Sequence, residues 1–244
     1  MVKIAVFLAF LCIGQPIKSD TILKIPEETL LEVVPYDDIA ATTRGRVDFE
    51  TLSPRPEPGH DLHFGYAFAG GRIGERFAGQ ALVERAEGGD RFDAIAAGAP
   101  DAPLALEPGA PGHGLSVSFH RAFGSNALYP LGPVGWPAPE GRGEGAAAIL
   151  FDADSCAVAL RIHTEYTDAL GTRADHRGAV TLAFFARSGQ LIGRVALSLP
   201  AGISDLGVVR DGRAADIAGV LITNTDPGGV SLDDIRFGCP VPVG

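Results

Sequence analysis

Lysine is scarce in this chain, and the basic residues do not cluster. Only three of the 20 basic residues are lysines, at positions 3, 18 and 24, and 30 acidic residues give a formal net charge of -10. A surface with this balance repels the phosphates of nucleic acids and the headgroups of anionic lipids. The composition therefore argues against a protein that binds nucleic acid.

Long apolar runs are few, and the clearest one lies near the N-terminus. Lys3 is followed by ten apolar residues, Ile4 to Ile13. A positive charge before a run of this length is typical of a secretory signal peptide, and the run is too short to span a bilayer. We expect residues 1–19 to be a signal peptide, and the mature chain to be secreted or periplasmic without a membrane span. The alternative is a cytoplasmic protein in which this run forms a buried strand.

The chain has only three cysteines, and the first of them lies inside the predicted signal peptide. Cys156 and Cys239 would then remain, and two cysteines in an oxidising compartment can form a disulfide. The alternative is two buried, unpaired thiols. The sequence has no Cys-x-x-Cys pair, which argues against a thiolate zinc site.

Long stretches of helical periodicity are missing, whereas 32 glycines and 18 prolines are present. Short apolar or alternating segments recur between turn residues, at 115–119, 146–151, 158–162, 180–186, 191–199, 217–223 and 230–237. Strands at this spacing predict an all-β protein, a two-sheet antiparallel β-sandwich of the jelly-roll type, over residues 46–239. Within it we predict two hairpins, one joining 180–186 to 191–199 and one joining 217–223 to 230–237.

Residues 20–45 precede the predicted sandwich and form an N-terminal arm in this interpretation. Pro26 to Val34 fits either one or two helical turns, with proline at the start and acids in the first turn, or an extended segment. Pro35 ends the helix in the first case.

Catalytic motifs are absent from the sequence. It contains no Gly-x-Ser-x-Gly, no His-Glu-x-x-His and no phosphate-binding loop. We therefore do not predict an enzyme from motifs, although a fold does not determine a function.

Four acidic residues occupy the two ends of the predicted sandwich. Asp48 and Glu50 alternate with Val47 and Phe49 in the first strand, and Asp233 and Asp234 lie in the last. The first and last strands of a domain often lie close together, since chain termini tend to meet. Carboxylates brought together in this way favour calcium, which takes six to eight oxygen ligands. The alternative is that Asp48 and Glu50 are solvated and Asp234 caps a turn.

A second polar group is a stripe along a predicted strand. Arg161, His163 and Glu165 share one face, opposite Leu160 and Ile162. Such a stripe can hydrogen-bond sugar hydroxyls, and Trp136, the only tryptophan, can stack on a sugar ring. The alternatives are the solvated side of an edge strand for the stripe and a buried loop residue for Trp136.

Three segments resemble the jelly-roll domains of bacterial secreted proteins, including uncharacterised anchored exoproteins. They are Val47 to Glu50, the hairpin Leu182 to Gly193, and Ile217 to Asn224 leading into Leu232 to Phe237. The layout of residues 46–237 is also similar to that of carbohydrate-binding modules and galactose-binding-like domains. This resemblance implies a structural calcium ion held by acids of the first and last strands, with Glu50 and Asp233 at the matching positions. The chain departs from the anchored proteins because it ends at Gly244 without an apolar helix or basic tail.

These observations predict a non-catalytic extracellular or periplasmic module that binds a glycan or another cell-surface component. One alternative is a structural or adhesive surface protein without a small-molecule site. A second alternative is a polysaccharide-active hydrolase or lyase on the same scaffold.

Overall fold

The computed structural model describes residues 22–24, 30–96, 98–164 and 176–240. The strands in chain order are β1 Ile22–Lys24, β2 Leu31–Val34, β3 Gly45–Val47, β4 His60–Asp61, β5 Tyr66–Phe68, β6 Gly71–Gly74, β7 Arg76–Phe77, β8 Leu82–Glu87, β9 Asp90–Ile95, β10 Leu106–Glu107, β11 Leu115–His120, β12 Ser125–Pro130, β13 Ala147–Ser155, β14 Ala157–Thr164, β15 Gly178–Phe185, β16 Leu191–Leu199, β17 Gly202–Arg210, β18 Ile217–Asn224 and β19 Val230–Gly238. The helical elements are α1, Tyr36–Ala40, and two 3-10 turns at Pro139–Gly141 and Asp211–Arg213. No helix in these ranges is long and apolar enough to cross a membrane. The predicted signal peptide lies outside the described residues.

Two antiparallel sheets form the body of the protein. The seven-stranded sheet has the order β1-β16-β15-β18-β13-β6-β5, and the eight-stranded sheet combines β2-β17-β14-β19-β12-β11-β4 with β3 paired to β19. Two small sheets, β7 with β10 and β8 with β9, lie apart from them. The predicted all-β sandwich is confirmed.

Most consecutive strands in the C-terminal half lie in different sheets, so the chain crosses repeatedly between the two layers. β13 belongs to the seven-stranded sheet, β14 to the eight-stranded one, β15 and β16 to the first, and β17 to the second. The hairpin of β15 and β16 is confirmed, and its turn closes with the amide of Ala186 donating to the carbonyl of Gln190 at 2.9 Å.

The second predicted hairpin is wrong. β18 pairs with β15 and β13 in the seven-stranded sheet, whereas β19 pairs with β14, β12 and β3 in the eight-stranded sheet. Residues 225–229 therefore connect the two sheets. Both strands contribute apolar side chains to the space between the sheets. This pattern is expected for two neighbouring strands of one sheet and equally for two strands that face each other from opposite sheets.

The main core lies between the two sheets. Each long strand contributes every second side chain, as Val180, Leu182 and Phe184 do from β15. A second apolar cluster lies on the outer face of the seven-stranded sheet, where Phe77, Leu82 and Ile95 cover small residues of β13 and β18. A third lies on the outer face of the eight-stranded sheet, beneath α1.

The described part of the segment predicted as an arm is built into both sheets. β1 pairs with β16, and β2 pairs with β17 at the edge of the other sheet. Residues 31–34 are extended, and the helix follows Pro35 instead of preceding it. Leu31 packs into the main core, so pairing and burial at a sheet edge outweigh the local helix signals.

The first predicted strand also ends earlier than its alternation suggests. β3 stops at Val47, and Phe49 has a φ of 58° with its side chain completely buried. The Phe49 ring contacts the ring of Tyr66, with centroids 5.2 Å apart. Packing of this one ring redirects the backbone, so Asp48 and Glu50 do not continue the strand.

A disulfide joins Cys156, just before β14, to Cys239, just after β19. Their Cα atoms are 4.7 Å apart, and 83 positions separate them in the sequence. The paired strands bring the two cysteines together, since Ala157 and Gly238 are direct partners in the sheet.

We predict that removing the disulfide lowers the stability of the domain. A cross-link across a loop of this length restricts the unfolded chain and contributes about 4 kcal/mol in the chain-entropy model. The double variant Cys156→Ala/Cys239→Ala should lose free energy of unfolding of this order in urea denaturation. A reducing agent should produce a similar loss in the wild type and none in the double variant; equal stability of both proteins without reductant would contradict the prediction.

Candidate functional site

A groove of about 730 Å³ crosses the outer face of the seven-stranded sheet. Side chains of β15, β16 and β18 form its floor, the β8–β9 hairpin forms one wall, and residues 98–100 and 189–191 complete the rim. Cavities of this size are typical of sites for small molecules or segments of a polymer.

The floor is open because its side chains are small. Val180, Leu182 and Phe184 of β15 point into the core, so Ala179, Thr181 and Ala183 face the groove. On the same floor, Thr181 is the direct cross-strand partner of Thr223, and Ala183 is the partner of Leu221. Two hydroxyls thus lie side by side, next to an apolar patch.

The hairpin wall is held by apolar packing and by the backbone. Leu82 and Ile95 pack against the second apolar cluster. The amide of Asp93 donates to the carbonyl of Glu144 at 3.0 Å, and the amide of Ala96 donates to the carbonyl of Ala81 at 2.8 Å. These contacts fix β9 beside the sheet, with Asp93 in the wall.

Three buried carboxyl groups lie at the base of this wall. Burial, followed by the charge of the nearby Glu75, raises the pKa of Asp93 to about 7. Burial, followed by the charge of Asp90, raises the pKa of Glu144 to about 7. The pKa of Glu75 is also raised by burial, although Arg76 contacts its carboxylate and opposes the shift. A carboxyl group with a pKa near neutrality can donate a hydrogen bond or transfer a proton.

Four charged side chains line the groove. Arg85 and Glu87 of β8 form an ion pair at 2.5 Å. Asp93 is the buried acid of the wall, and Arg194 of β16 is exposed on the floor. Arg194 is the direct partner of Ala183 across the sheet, which places it beside the apolar patch.

The four predicted calcium ligands lie outside the groove and form two separate pairs. β3 and β19 are adjacent, as the sequence suggests. Asp233 accepts hydrogen bonds from the hydroxyl of Ser125 and from the amide of Asp234, both at 2.6 Å. Glu50 accepts one from the amide of Asn126 at 2.7 Å. Burial raises the pKa of Asp233 to about 6, and the charges of Asp234 and Glu50 add to the shift.

Asp234 is neutralised by arginines. A bulge in β19 opposite Leu160 gives Asp234 a φ of 51°, and its carboxylate lies 2.6 Å from Arg46 and 3.2 Å from Arg161. Asp48 lies 3.3 Å from Arg46. Within the described ranges, no three His, Cys, Asp or Glu side chains are grouped as a metal centre requires. Of the four predicted ligands, Asp233 and Glu50 therefore form one pair, while Asp48 and Asp234 share Arg46.

The predicted sugar-binding stripe does not reach the groove. Arg161 pairs with Asp205 and Asp234, and its guanidinium lies 5.0 Å from the ring centroid of Tyr36. His163 packs against His120, with ring centroids 4.5 Å apart. Burial and then the charge of His163 lower the pKa of His120 to about 3, and its Nδ1 accepts two backbone hydrogen bonds.

The two remaining predicted residues are set apart as well. Trp136 is 38% exposed, and its indole N–H donates to the carbonyl of Pro58 at 3.3 Å, away from the groove. Glu165 lies outside the described residues.

Sequence reasoning missed the groove. The alternation of Ala179, Thr181 and Ala183 with large apolar residues is visible in the sequence. This pattern marks a sheet face with small side chains, but it does not tell whether another layer covers that face.

Comparison with protein-family models, curated proteins and solved structures finds no match to this chain.

We predict that the buried carboxyl groups of the wall make stability fall as the pH rises. The pKa values of Asp93 and Glu144 are raised in the folded state, so the folded chain binds more protons than the unfolded chain. Their contribution is complete below about pH 4 and is lost as the pH passes about 7. The double variant Asp93→Asn/Glu144→Gln should therefore match the wild type at pH 4 and exceed it by about 1 to 3 kcal/mol at pH 8.

Urea denaturation at both pH values measures this difference. The exposed acid of β2 offers a control, because Glu32→Gln removes a carboxyl group that lies outside the wall. The double variant should gain stability relative to this control between pH 4 and pH 8. A double variant that is less stable than the wild type at pH 8 would show that the wall requires these charges.

Proposed function

We propose that this chain is a non-catalytic β-sandwich module, secreted or periplasmic, that binds an extended glycan in the groove of the seven-stranded sheet. The observation that carries the proposal is the open floor of small side chains, with the β8–β9 hairpin rising beside it as a wall. A floor of this kind leaves space for a chain lying across the strands, as a polymer does.

The chemistry of the lining supports a saccharide. Thr181, Thr223 and Gln190 present hydroxyl and amide groups, which both donate and accept hydrogen bonds. Sugar hydroxyls need partners of both kinds. Ala183 and Leu221 offer an apolar surface to the C–H faces of a sugar ring.

The disulfide supports the proposed compartment. Stable disulfides form in secreted and periplasmic proteins and are rare in the cytoplasm. The bond between Cys156 and Cys239 therefore agrees with the signal peptide predicted at residues 1–19.

A hydrolase or lyase is the second candidate, because Asp93 lines the groove and has a pKa of about 7. A general acid needs such a pKa. If the wild type releases reducing ends from a polysaccharide and Asp93→Asn does not, the enzyme would replace the binding module as the proposed function.

We predict that filling the groove abolishes glycan binding. Thr223→Trp places a large ring on the floor, where it should block the ligand and reduce retention in affinity electrophoresis through a panel of polysaccharides. The control is Ala67→Trp, an exposed alanine on β5 at the far edge of the same sheet. Equal retention of both variants would place binding outside the groove, and no retention of the wild type on any polysaccharide would leave the structural or adhesive alternative.

We also propose that a calcium ion binds at Glu50 and Asp233, whose carboxylates accept hydrogen bonds from consecutive residues of β12. Two neighbouring carboxylates repel each other, and a cation between them removes that repulsion. The observed hydrogen bonds to Ser125 and Asn126 use part of their oxygen atoms, so backbone oxygens or water would complete the ligands.

The prediction is a rise in melting temperature with added Ca²⁺, reversed by a chelator and absent in Asp233→Ala. Asp48→Ala is the matched control, since Asp48 is paired with Arg46 and should keep the response. A melting curve that calcium does not change would contradict the site.

A further inference from the structure

The charged side chains that line the groove differ in whether a partner or a proton compensates their charge. Arg85 is neutralised by Glu87, with which it forms an ion pair. Asp93 is buried in the wall and carries a proton for much of the time near neutral pH, since its pKa is about 7. Arg194 is thus the one lining charge in the described ranges that neither a partner nor a proton compensates.

Arg194 is held in a position where a ligand can reach it. Its strand is fixed between β1 and β15, and Val195 beside it is completely buried in the main core. The side chain is exposed and makes no hydrogen bond or ion pair with any residue of the described ranges. The groove therefore contains a guanidinium that no described residue neutralises, although the chain as a whole has a formal charge of -10.

We propose that the groove binds an acidic glycan, and that Arg194 selects it by pairing with the carboxylate of a uronic acid unit. This inference rests on the proposed function and names the ligand class of the same site. A guanidinium matches a carboxylate through two parallel hydrogen bonds, which an ammonium group cannot provide. The hydroxyl pair of Thr181 and Thr223 lies one step further along the floor, where it meets the hydroxyls of the neighbouring sugar unit.

Asp93 gives the acidic ligand a characteristic pH dependence. The charged groups around Asp93 are Glu75 after β6, Arg76 on β7, Glu84 on β8 and Glu144 before β13. When Asp93 loses its proton, the wall becomes more negative and repels an anionic ligand. Binding of an acidic glycan should therefore weaken as the pH rises from 6 to 8, while binding of a neutral glycan should not.

The test compares one sugar backbone with and without its charge. Calorimetric titration of the full chain with oligogalacturonate and with its methyl ester measures the contribution of the carboxylates. Oligomers of mannuronate and guluronate serve as further acidic ligands. Dextran sulfate tests whether a sulfate group can take the place of the carboxylate. We expect the acid to bind and the methyl ester to bind at least about tenfold more weakly, because a hydrogen bond to a charged group is lost.

The variants assign the effect to one residue. Arg194→Gln should bind the acid as weakly as the wild type binds the methyl ester, and Arg194→Lys should recover part of the difference. Arg72→Gln is the control, since Arg72 is an exposed arginine on β6 of the same sheet outside the groove. Asp93→Asn should remove the pH dependence between pH 6 and 8.

The outcomes separate this inference from the proposed function. Equal affinity for the acid and its ester, tighter binding of dextran sulfate than of every uronate, or an unchanged affinity in Arg194→Gln overturns the assignment and leaves a glycan-binding module. No binding of any charged or neutral saccharide overturns both.

Discussion

The pairing of β19 with three neighbours is the interaction on which the rest of the structure depends. This strand forms hydrogen bonds to β14, β12 and β3, so the chain's last strand lies inside the eight-stranded sheet. The disulfide joins the chain at the end of this ladder. The bulge at Asp234 directs one carboxylate toward arginines of β3, β14 and β19, while the hydroxyl of Tyr36 in α1 donates to the Asp234 carbonyl at 3.0 Å. One strand thereby holds the N-terminal segment, the sheet centre and the C-terminal end together.

The two outer faces of the sandwich differ in how other parts of the chain cover them. The eight-stranded sheet is covered by α1, and polar residues on its outer face, such as Ser231 and Asp233, are buried. The seven-stranded sheet is covered on its β13 side by the β8–β9 hairpin, whereas the described residues leave a groove on its β15 and β16 side. The groove arises at this boundary, because small floor side chains meet a wall that stands above them. The binding surface that we propose thus follows from incomplete coverage of a sheet, with stability supplied elsewhere.

Local patterns predicted much of the fold and little of the site. Alternation in β11 and β14 and a short apolar run in β15 identified the strands, since both patterns are local properties of the sequence. The turn at Ser188 and Gly189 identified a true hairpin for the same reason. The candidate residues were less predictable: Arg161 was expected to meet a ligand, but it pairs with Asp205 and Asp234. An exposed arginine and a paired one look alike in a sequence, because the partner of each is distant in the chain.

Local sequence patterns establish that this chain forms short strands with one or two apolar faces, with acids near the first and last of them. Long-range contacts place β18 and β19 in opposite sheets, and they neutralise Asp234 while Asp233 and Glu50 accept hydrogen bonds from consecutive residues of β12. They also leave Ala179, Thr181 and Ala183 lining a groove. The physical reason is that a pattern of alternation specifies which side chains leave water. It does not specify which strand supplies the contacts, and long-range pairing settles that choice.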